Sequence, residues 1–256
     1  MDQRAKLTQD DGHLSYSQLT EFSGCPRKYY YHRIAKILSK PAFDLVSGKA
    51  FHVGLEIHNQ ELIKGAHTNA KDIIDAGVEH IKASPEGDDL EIPRGRAIDL
   101  FVTEAKPSAG EYLDKAEPTL LRQDIVGIEE EIRFELGGFN FLGYIDLRTS
   151  DTIFDYKFTG RRKSAKEVAV DPQLILYRQH FNLKAGGLVC LIRERPVADI
   201  VMQEPNDAIT AGVLDWAQSI VTGIKSAKET GVWPRCDPRS WTCGPKCAYY
   251  HQCFKA

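Results

Sequence analysis

Apolar residues in the first half of the chain recur at the spacing of an α-helix. Between residues 46 and 64, Phe51, Leu55 and Leu62 share one face of a helix, and His52 lies on another. The stretch that follows keeps a helical pattern, apart from a loop rich in proline, glycine and aspartate. The first half of the chain is therefore predicted to be mainly helical.

The pattern changes at Ile125, where apolar and polar residues begin to alternate as they do in a half-buried strand. Gly137-Gly138 is typical of a two-residue hairpin turn, and strands are predicted after it at 139–148 and 152–158. Glu130 interrupts the alternation of the first strand, so that either a bulge hides its side chain or the side chain points inward. The apolar positions of that strand are Val126, Ile128, Ile132, Phe134 and Leu136.

The remainder of the chain mixes helices with a buried strand. Asp171 and Pro172 suit the cap and the first turn of a helix that runs to about residue 183. A buried strand is predicted at 187–193 and a helix at 207–228. This order predicts an α/β protein with a mixed central sheet flanked by helices.

Composition narrows the class of protein. At 256 residues the chain has the length of one large domain, with an ordinary 42% of hydrophobic and 27% of charged residues. No apolar run reaches the roughly 18 residues of a membrane helix, and the N-terminus lacks the apolar segment of a secretory signal. Six cysteines without such a signal favour a reducing, cytoplasmic compartment, and metal or cluster ligation over disulfides.

Charge gives no general attraction to nucleic acid, because the net charge is −3. Basic residues are nevertheless grouped along the chain, so that a groove can be positive while the molecule is acidic. The groups are Arg27, Lys28, Arg33, Lys36, Lys40 and Lys49, and then Arg161, Arg162, Lys163 and Lys166.

Two aspartates and a lysine stand out on the predicted hairpin strands. Period-two alternation places Asp155 and Lys157 together on the polar face of their strand. Neighbouring strands lie about 4.8 Å apart, so Asp146 and Asp155 can approach closely enough to hold a divalent cation. Oxygen ligands with open water positions suit Mg²⁺ or Mn²⁺. The alternative is a solvated strand surface with an incidental ion pair.

Cysteines are concentrated at the two ends of the chain. Cys243, Cys247 and Cys253 lie close together near the C-terminus, and Cys25 lies in a Gly-Cys-Pro-Arg-Lys segment near the N-terminus. Short loops allow such thiolates to converge on one inorganic centre, which would join the two ends of the chain. Cys190, inside an apolar strand, is predicted to be a small buried hydrophobe.

Five segments, in order along the chain, resemble motifs of the PD-(D/E)XK nuclease superfamily. Gly143–Asp146 (Gly-Tyr-Ile-Asp) followed by Asp155–Lys157 (Asp-Tyr-Lys) is similar to the catalytic hairpin of that family. Gly48–His52 looks like its upstream helix with a metal-binding histidine, and Gln173–Tyr177 looks like the Gln-x-x-x-Tyr helix of its RecB-like branch. Residues 17–31 resemble the N-terminus of cluster-bearing members, including the CRISPR-associated exonuclease and AddB-type nucleases.

The resemblance implies a catalytic cation, Mg²⁺ or Mn²⁺, held by His52, Asp146 and Asp155. Lys157 is then expected to orient the attacking hydroxide and to offset charge on the phosphorane. A second cation about 3.5–4 Å away is neither implied nor excluded. Glu130 stays a candidate for a role at the metals.

Gln173 and Tyr177 are one helical turn apart and share a face. The resemblance implies that they flank the site and hold the Lys157 region or a substrate phosphate by hydrogen bonds. The alternative for Tyr177 is simple helix packing.

A 4Fe-4S cluster is the second cofactor that the resemblance implies, with Cys25, Cys243, Cys247 and Cys253 as its ligands. Many relatives place two residues between the first pair of C-terminal cysteines, whereas this chain has three between Cys243 and Cys247. Cys236 is therefore an alternative ligand. A structural zinc site of four cysteines is the main alternative to the cluster.

The resemblance also implies the organisation of the chain. Residues 1–256 are expected to form a single nuclease domain with a restriction-endonuclease-like core. Its parts are a mainly helical lobe at 13–120, the nuclease core at 121–230 and a cluster-binding tail at 231–256, to which Cys25 belongs.

Its implied function is a metal-dependent DNA exonuclease that prefers single-stranded ends, in recombination, repair or phage DNA processing. The first alternative is a CRISPR adaptation component that binds an integrase and trims DNA ends. An iron–sulfur redox protein or an inactive DNA-binding module is disfavoured, because neither needs the acidic hairpin. Expected partners are DNA, a CRISPR integrase or a recombination protein, and further copies of the chain.

Overall fold

The structure is a computed structural model, and it divides the chain into two compact units. The central unit comprises Lys40–Glu131 and Tyr144–Thr210, and the terminal unit comprises Met1–Ser39, Ile132–Gly143 and Ala211–Ala256. The residues that the structure describes are 12–84, 90–120, 124–240, 242–245 and 247–254.

Helices dominate both ends of the sequence, and the strands lie between them. The helices are α1 (Tyr16–Gly24), α2 (Pro26–Tyr29), α3 (Phe43–Ile63), α4 (Ala70–Ala83), α5 (Arg94–Glu111), α6 (Glu117–Leu120), α7 (Ala165–Ala169), α8 (Pro172–His180), α9 (Asp207–Thr230) and α10 (Tyr250–Phe254). The strands are β1 (Ile125–Leu136), β2 (Phe139–Thr149), β3 (Thr152–Thr159), β4 (Ala185–Ile192) and β5 (Ala198–Gln203). Single π-helical turns at Tyr30–Ile34 and Tyr112–Ala116 extend α2 and α5.

The five strands form one mixed sheet in the order β1-β2-β3-β4-β5. β2 and β3 pair antiparallel, β3 and β4 pair parallel, and β4 and β5 pair antiparallel. The parallel pair requires a crossover connection, which α7 and α8 supply. The fold is therefore α/β with a mixed sheet and flanking helices, as the sequence predicts.

The core of the central unit joins its helices to β3. Phe51 of α3 stacks on Phe158 of β3, with ring centroids 4.5 Å apart. Helices α3 and α4 approach each other closely at Gly54, which has no side chain. A Cβ atom there would collide with the carbonyl oxygen of Ile73. This packing holds the helix that carries His52 against β3, the strand that carries Asp155.

The terminal unit is held together by contacts between distant parts of the sequence. Leu14 exchanges two backbone hydrogen bonds with β2, one from its N–H to Asn140 and one from Leu142 to its carbonyl, each 2.8 Å long. Tyr29 stacks on Trp233 with ring centroids 5.9 Å apart. These contacts bring α2 next to the C-terminal segment.

Most predicted elements are confirmed, with three departures. Strand β5 was not predicted, because its six residues are too short for periodicity alone to identify. Helix α8 ends at His180 and not near residue 183, because Asn182 takes a left-handed backbone conformation with φ of 50°. Val126, predicted on the buried face of β1, is 51% exposed.

The division of one domain into a lobe, a core and a tail stays a prediction. Among the described residues, no helix combines the length and the apolarity needed to cross a lipid bilayer.

Candidate active site

Asp146 and Asp155 lie on neighbouring antiparallel strands of the central unit, and both are 7% exposed. The backbone N–H of Tyr156, on β3, donates a hydrogen bond of 2.5 Å to Asp146 Oδ2. This bond fixes the carboxylate of one strand to the backbone of the next. The hairpin therefore presents both carboxyl groups from rigid elements.

Helix α3 places His52 beside this hairpin. His52 Nδ1 lies 3.4 Å from Asp146 Oδ1. One face of the helix is tied to β3, because the Asn59 amide donates a hydrogen bond of 2.9 Å to the hydroxyl of Tyr156. The position of His52 thus depends on buried contacts two turns further along the same helix.

Glu129, which the sequence pattern did not single out, lies with two of the predicted metal ligands. Ligand atoms of His52, Glu129 and Asp146 all lie within 4.8 Å of one another. Glu129 has a left-handed backbone, with φ of 46°, which is rare for a residue with a side chain. This conformation breaks the alternation of β1 and turns the carboxylate of Glu129 toward the hairpin.

Glu130, the residue that the sequence analysis singled out, is engaged elsewhere. Its carboxylate accepts two hydrogen bonds from the guanidinium of Arg148, at 2.6 Å and 3.1 Å. The interruption at Glu130 is thus a bulge whose inward-pointing member is Glu129. The run of three glutamates at 129–131 was the signal in the sequence.

Asp155 and Lys157 point to the same side of β3, as period two requires. Lys157 Nζ lies 2.7 Å from Asp155 Oδ2, and it donates a hydrogen bond of 3.2 Å to Gln173 Oε1 on α8. The Gln173 side chain is also hydrogen-bonded to Tyr177, one turn further along the same helix. A continuous chain of polar contacts therefore runs from Asp155 to the buried Tyr177.

The structure brings the predicted site residues of the central unit into one region. Among the described residues, His52, Glu129 and Asp146 form a group whose potential ligand atoms all lie within 4.8 Å of one another. Asp155 is not a member of that group, and its Oδ2 faces Lys157.

The pKa values of the carboxyl groups reflect their burial and crowding. Burial, together with the nearby Asp146 carboxylate, raises the pKa of Glu129 to about 7. Burial also raises the pKa of Asp155 to about 6, against the opposing effect of Lys157. The pKa of Asp146 is lowered despite its burial, because His52 lies beside it. Burial disfavours the charged form of His52, but Asp146 raises its pKa to about 9.

These residues fit a divalent cation. Carboxylate oxygens are suitable ligands for Mg²⁺ or Mn²⁺, and the imidazole of His52 offers a nitrogen ligand beside them. A cation would favour the ionised form of Glu129, whose pKa is raised to about 7 by burial and by the nearby Asp146 carboxylate.

A cavity in the terminal unit is lined by five cysteines, all of them free thiols. Cys25 also caps α2, where its sulfur accepts a hydrogen bond from the N–H of Lys28 at 3.4 Å. The cysteine near the N-terminus and those near the C-terminus therefore line the same cavity. The five residues are Cys25, Cys236, Cys243, Cys247 and Cys253.

Cys236 lies among the four predicted ligands. Its thiol is within hydrogen-bonding reach of the thiols of Cys25 and Cys243, and burial and these neighbours raise its pKa to about 11. Five sulfur donors around one cavity suit a centre held by thiolates. The sixth cysteine, Cys190, is fully buried in β4, as predicted for a small hydrophobe.

A solved structure of low sequence identity shows a similar fold. The crystal structure of a candidate exonuclease from Eubacterium rectale is 13% identical, with a TM-score of 0.56, and the match covers 91% of this chain and 87% of that one. A second structure, of SSO0001, is 12% identical over 87% of this chain and 84% of that one, but its TM-score of 0.37 carries no argument. None of the curated proteins matches this chain in sequence.

The comparison with protein families covers nearly the whole chain. The sequence profile of the PD-(D/E)XK nuclease superfamily matches residues 13–254. That range includes the acidic hairpin, the helix of His52 and every cysteine of the cavity. The chain belongs to the PD-(D/E)XK nuclease superfamily.

Proposed function

We propose that this nuclease is a metal-dependent exonuclease that removes nucleotides from single-stranded DNA ends. The observation that carries the proposal is the grouping of His52, Glu129 and Asp146 beside the Asp155–Lys157 pair. Such a set provides ligands for a cation and a fixed positive charge in one place. Electron transfer or simple DNA binding would require neither.

His52, Asp146 and Asp155, joined by Glu129, are the residues that would hold Mg²⁺ or Mn²⁺. When bound, a cation of this kind makes hydroxide available near neutral pH and stabilises charge on the phosphate. Asp155 would contribute its carboxylate from the strand next to Asp146. Calorimetric titration with Mg²⁺ gives the number of cations that bind.

Lys157 acts as a fixed positive charge in this proposal. Burial favours the neutral amine, but the carboxylates of Asp155 and Asp146 outweigh it and raise the pKa of Lys157. The ammonium group therefore stays protonated at neutral pH and donates hydrogen bonds. It can orient the attacking hydroxide and stabilise charge on the phosphorane, but it cannot accept the proton.

Gln173 and Tyr177 act through Lys157. Gln173 accepts a hydrogen bond from Lys157 Nζ, and Tyr177 is hydrogen-bonded to Gln173. These contacts restrict the rotamers of Lys157, whose long side chain would otherwise move freely. We assign Gln173 and Tyr177 to the positioning of Lys157.

Cleavage from single-stranded ends is supported by resemblance. Residues 17–31 resemble the N-termini of the CRISPR-associated exonuclease and AddB-type nucleases, and the E. rectale protein of the same fold is a candidate exonuclease. An exonuclease of this kind would act in recombination, repair or phage DNA processing. A CRISPR adaptation component is the second candidate, and co-purification with an integrase partner would distinguish it.

We also propose that the cysteine cavity holds a 4Fe-4S cluster bound by Cys25, Cys243, Cys247 and Cys253. Four cysteines can also hold a structural zinc ion. The resemblance of residues 17–31 to the N-terminus of cluster-bearing nucleases favours a cluster over zinc. Six free thiols suit a reducing compartment such as the cytoplasm.

The decisive experiment is digestion of end-labelled DNA. Single-stranded and double-stranded oligonucleotides, with free or blocked ends, are incubated with the purified protein and Mg²⁺, Mn²⁺ or EDTA. We expect progressive shortening of the free-ended single strand with either cation and none with EDTA. Internal cleavage of end-blocked DNA at the same rate would refute the exonuclease assignment, and an absence of all cleavage would refute nuclease activity.

A further inference from the structure

A groove of about 730 Å³ lies on the terminal unit, beside the cysteine cavity. Helices α1, α2 and α9 and the C-terminal segment supply its walls. Cys25 and Lys28 line both the groove and the cysteine cavity, so the two share a wall. The groove is separate from the candidate active site, whose residues all belong to the central unit.

Trp216, on α9, is a partly exposed tryptophan in the wall of this groove. Within the part of the chain that the structure describes, its indole N–H donates no hydrogen bond and its ring packs against no other aromatic ring. Trp233 in the same unit differs, because it is 6% exposed and stacks on Tyr29. The ring and the N–H of Trp216 are therefore available to a ligand.

The charged side chains of the groove leave a surplus of positive charge. The carboxylate of Glu21 is bound by both His32 and Arg33. The ammonium group of Lys28 is exposed, and it forms no ion pair with any residue that the structure describes. The described lining thus contains two cations, Arg33 and Lys28, and one carboxylate, in a protein whose net charge is −3. Such a lining attracts an anion.

Hydroxyl groups make up most of the remaining lining, and they belong to Ser17, Thr20, Ser23, Ser240 and Thr242. Hydroxyls donate hydrogen bonds to phosphate oxygens, and lysine binds phosphate by its charge. An aromatic ring stacks on any base whose face is exposed, which is the case in a single strand and not inside a duplex. The groove therefore has the chemistry of a surface for single-stranded nucleic acid.

We propose that this groove holds part of a single-stranded DNA substrate, with a base stacked on Trp216 and a backbone phosphate bound by Lys28. Stacking gives affinity with little sequence preference, which suits the removal of successive nucleotides. This inference rests on the proposed nuclease function. It deepens that function by naming a surface of the terminal unit that holds the strand.

The test compares Trp216→Ala and Lys28→Ala with two matched controls on α9. Leu214→Ala removes an exposed apolar side chain and Lys225→Ala removes an exposed lysine, and neither residue lines the groove. Binding of a fluorescein-labelled oligothymidylate is measured by anisotropy at several salt concentrations, without added Mg²⁺ or Mn²⁺. Cleavage of the same strand is then measured with Mg²⁺.

Trp216→Ala should weaken binding by about tenfold, as expected for the loss of one stacked base. Trp216→Phe should retain most of the affinity, because it keeps an aromatic ring. Lys28→Ala should lower the slope of log affinity against log salt by about 0.7, the value for one phosphate contact on a single strand. Both controls should bind like the wild type.

Wild-type affinity and salt slope in Trp216→Ala and Lys28→Ala, with an active wild type, overturn the groove and leave the nuclease function intact. Equal weakening in the controls overturns it too. Lys28 is exposed, so its variant tests the groove even where Trp216→Ala fails to fold. A wild type that binds the strand through Trp216 and Lys28 but cleaves no DNA supports the groove and overturns the nuclease function.

Discussion

Glu129 and Glu130 are adjacent on β1, yet their carboxylates contact different partners. Glu129 joins His52 and Asp146, whereas Glu130 is paired with Arg148. The left-handed backbone at Glu129 lets both side chains reach the same side of the hairpin. A strand without this bulge would turn one of them away.

This arrangement gives the first prediction. Glu129→Gln removes a charged ligand without changing size, and we expect Mg²⁺ affinity to fall by about 10–100-fold, with a corresponding loss of cleavage. Glu130→Gln is the matched control, and it should weaken only the contact with Arg148. Mg²⁺ titrations followed by calorimetry and by cleavage rate test both variants. A greater loss in Glu130→Gln would reverse the assignment.

The second prediction concerns the aspartates of the hairpin. Asp146→Ala and Asp155→Ala should each reduce cleavage by at least about 10³-fold, because both remove ligands of the catalytic cation. Binding of single-stranded DNA should be largely retained. Lys157→Ala should be nearly as severe in turnover while cation binding persists. Unaltered Mg²⁺-dependent turnover in Asp155→Ala would rule out this site.

The third prediction separates positioning from chemistry. Gln173→Ala and Tyr177→Phe should slow cleavage by about tenfold, because each loosens Lys157 without removing its charge. The reduction should appear in the single-turnover rate and not in cation affinity. Wild-type rates in both variants would assign the pair to helix packing. A loss in Tyr177→Phe as large as that in Asp155→Ala would also contradict the proposal.

The fourth prediction concerns the cysteine cavity. Anaerobically purified protein should be brown and contain iron and sulfide. Replacing any one of Cys25, Cys243, Cys247 and Cys253 by alanine should remove the cluster and destabilise the protein, since ligation couples to folding. Cys190→Ala is the control, because its buried thiol lies in β4, outside the cavity.

Elemental analysis of the wild type and of the cysteine variants distinguishes a 4Fe-4S cluster from zinc, and it shows whether Cys25 or Cys236 is a ligand. Zinc without iron and sulfide would reject the cluster. A cluster that survives Cys25→Ala but not Cys236→Ala would place Cys236 among the ligands. The structure makes this comparison informative, because Cys236 lies within reach of two predicted ligands.

Much of the fold could be predicted because its signals are local. The turn at Gly137-Gly138 has φ of 61° and 83°, which glycine alone adopts readily, so the hairpin follows directly from the sequence. Alternation along β3 likewise places Asp155 and Lys157 on one side. Such features depend only on neighbouring residues.

The role of Glu129 could not be predicted in the same way. A single left-handed residue shifts the register of the strand, and no periodic pattern encodes where that residue lies. The sequence pattern drew attention to Glu130, whereas the structure groups Glu129 with His52 and Asp146. The three-dimensional contacts with His52 and Arg148 distinguish the two.

Tyr156 connects the parts of the site from within the core. Its N–H donates a hydrogen bond to Asp146, and its hydroxyl accepts one from Asn59, on the helix that carries His52. The same hydroxyl lies 3.1 Å from the hydroxyl of Tyr112. The conformational entropy of these ligands is therefore lost when the protein folds and not when the cation arrives. Loosening this buried pair of tyrosines would weaken cation affinity, although neither hydroxyl belongs to the ligand set.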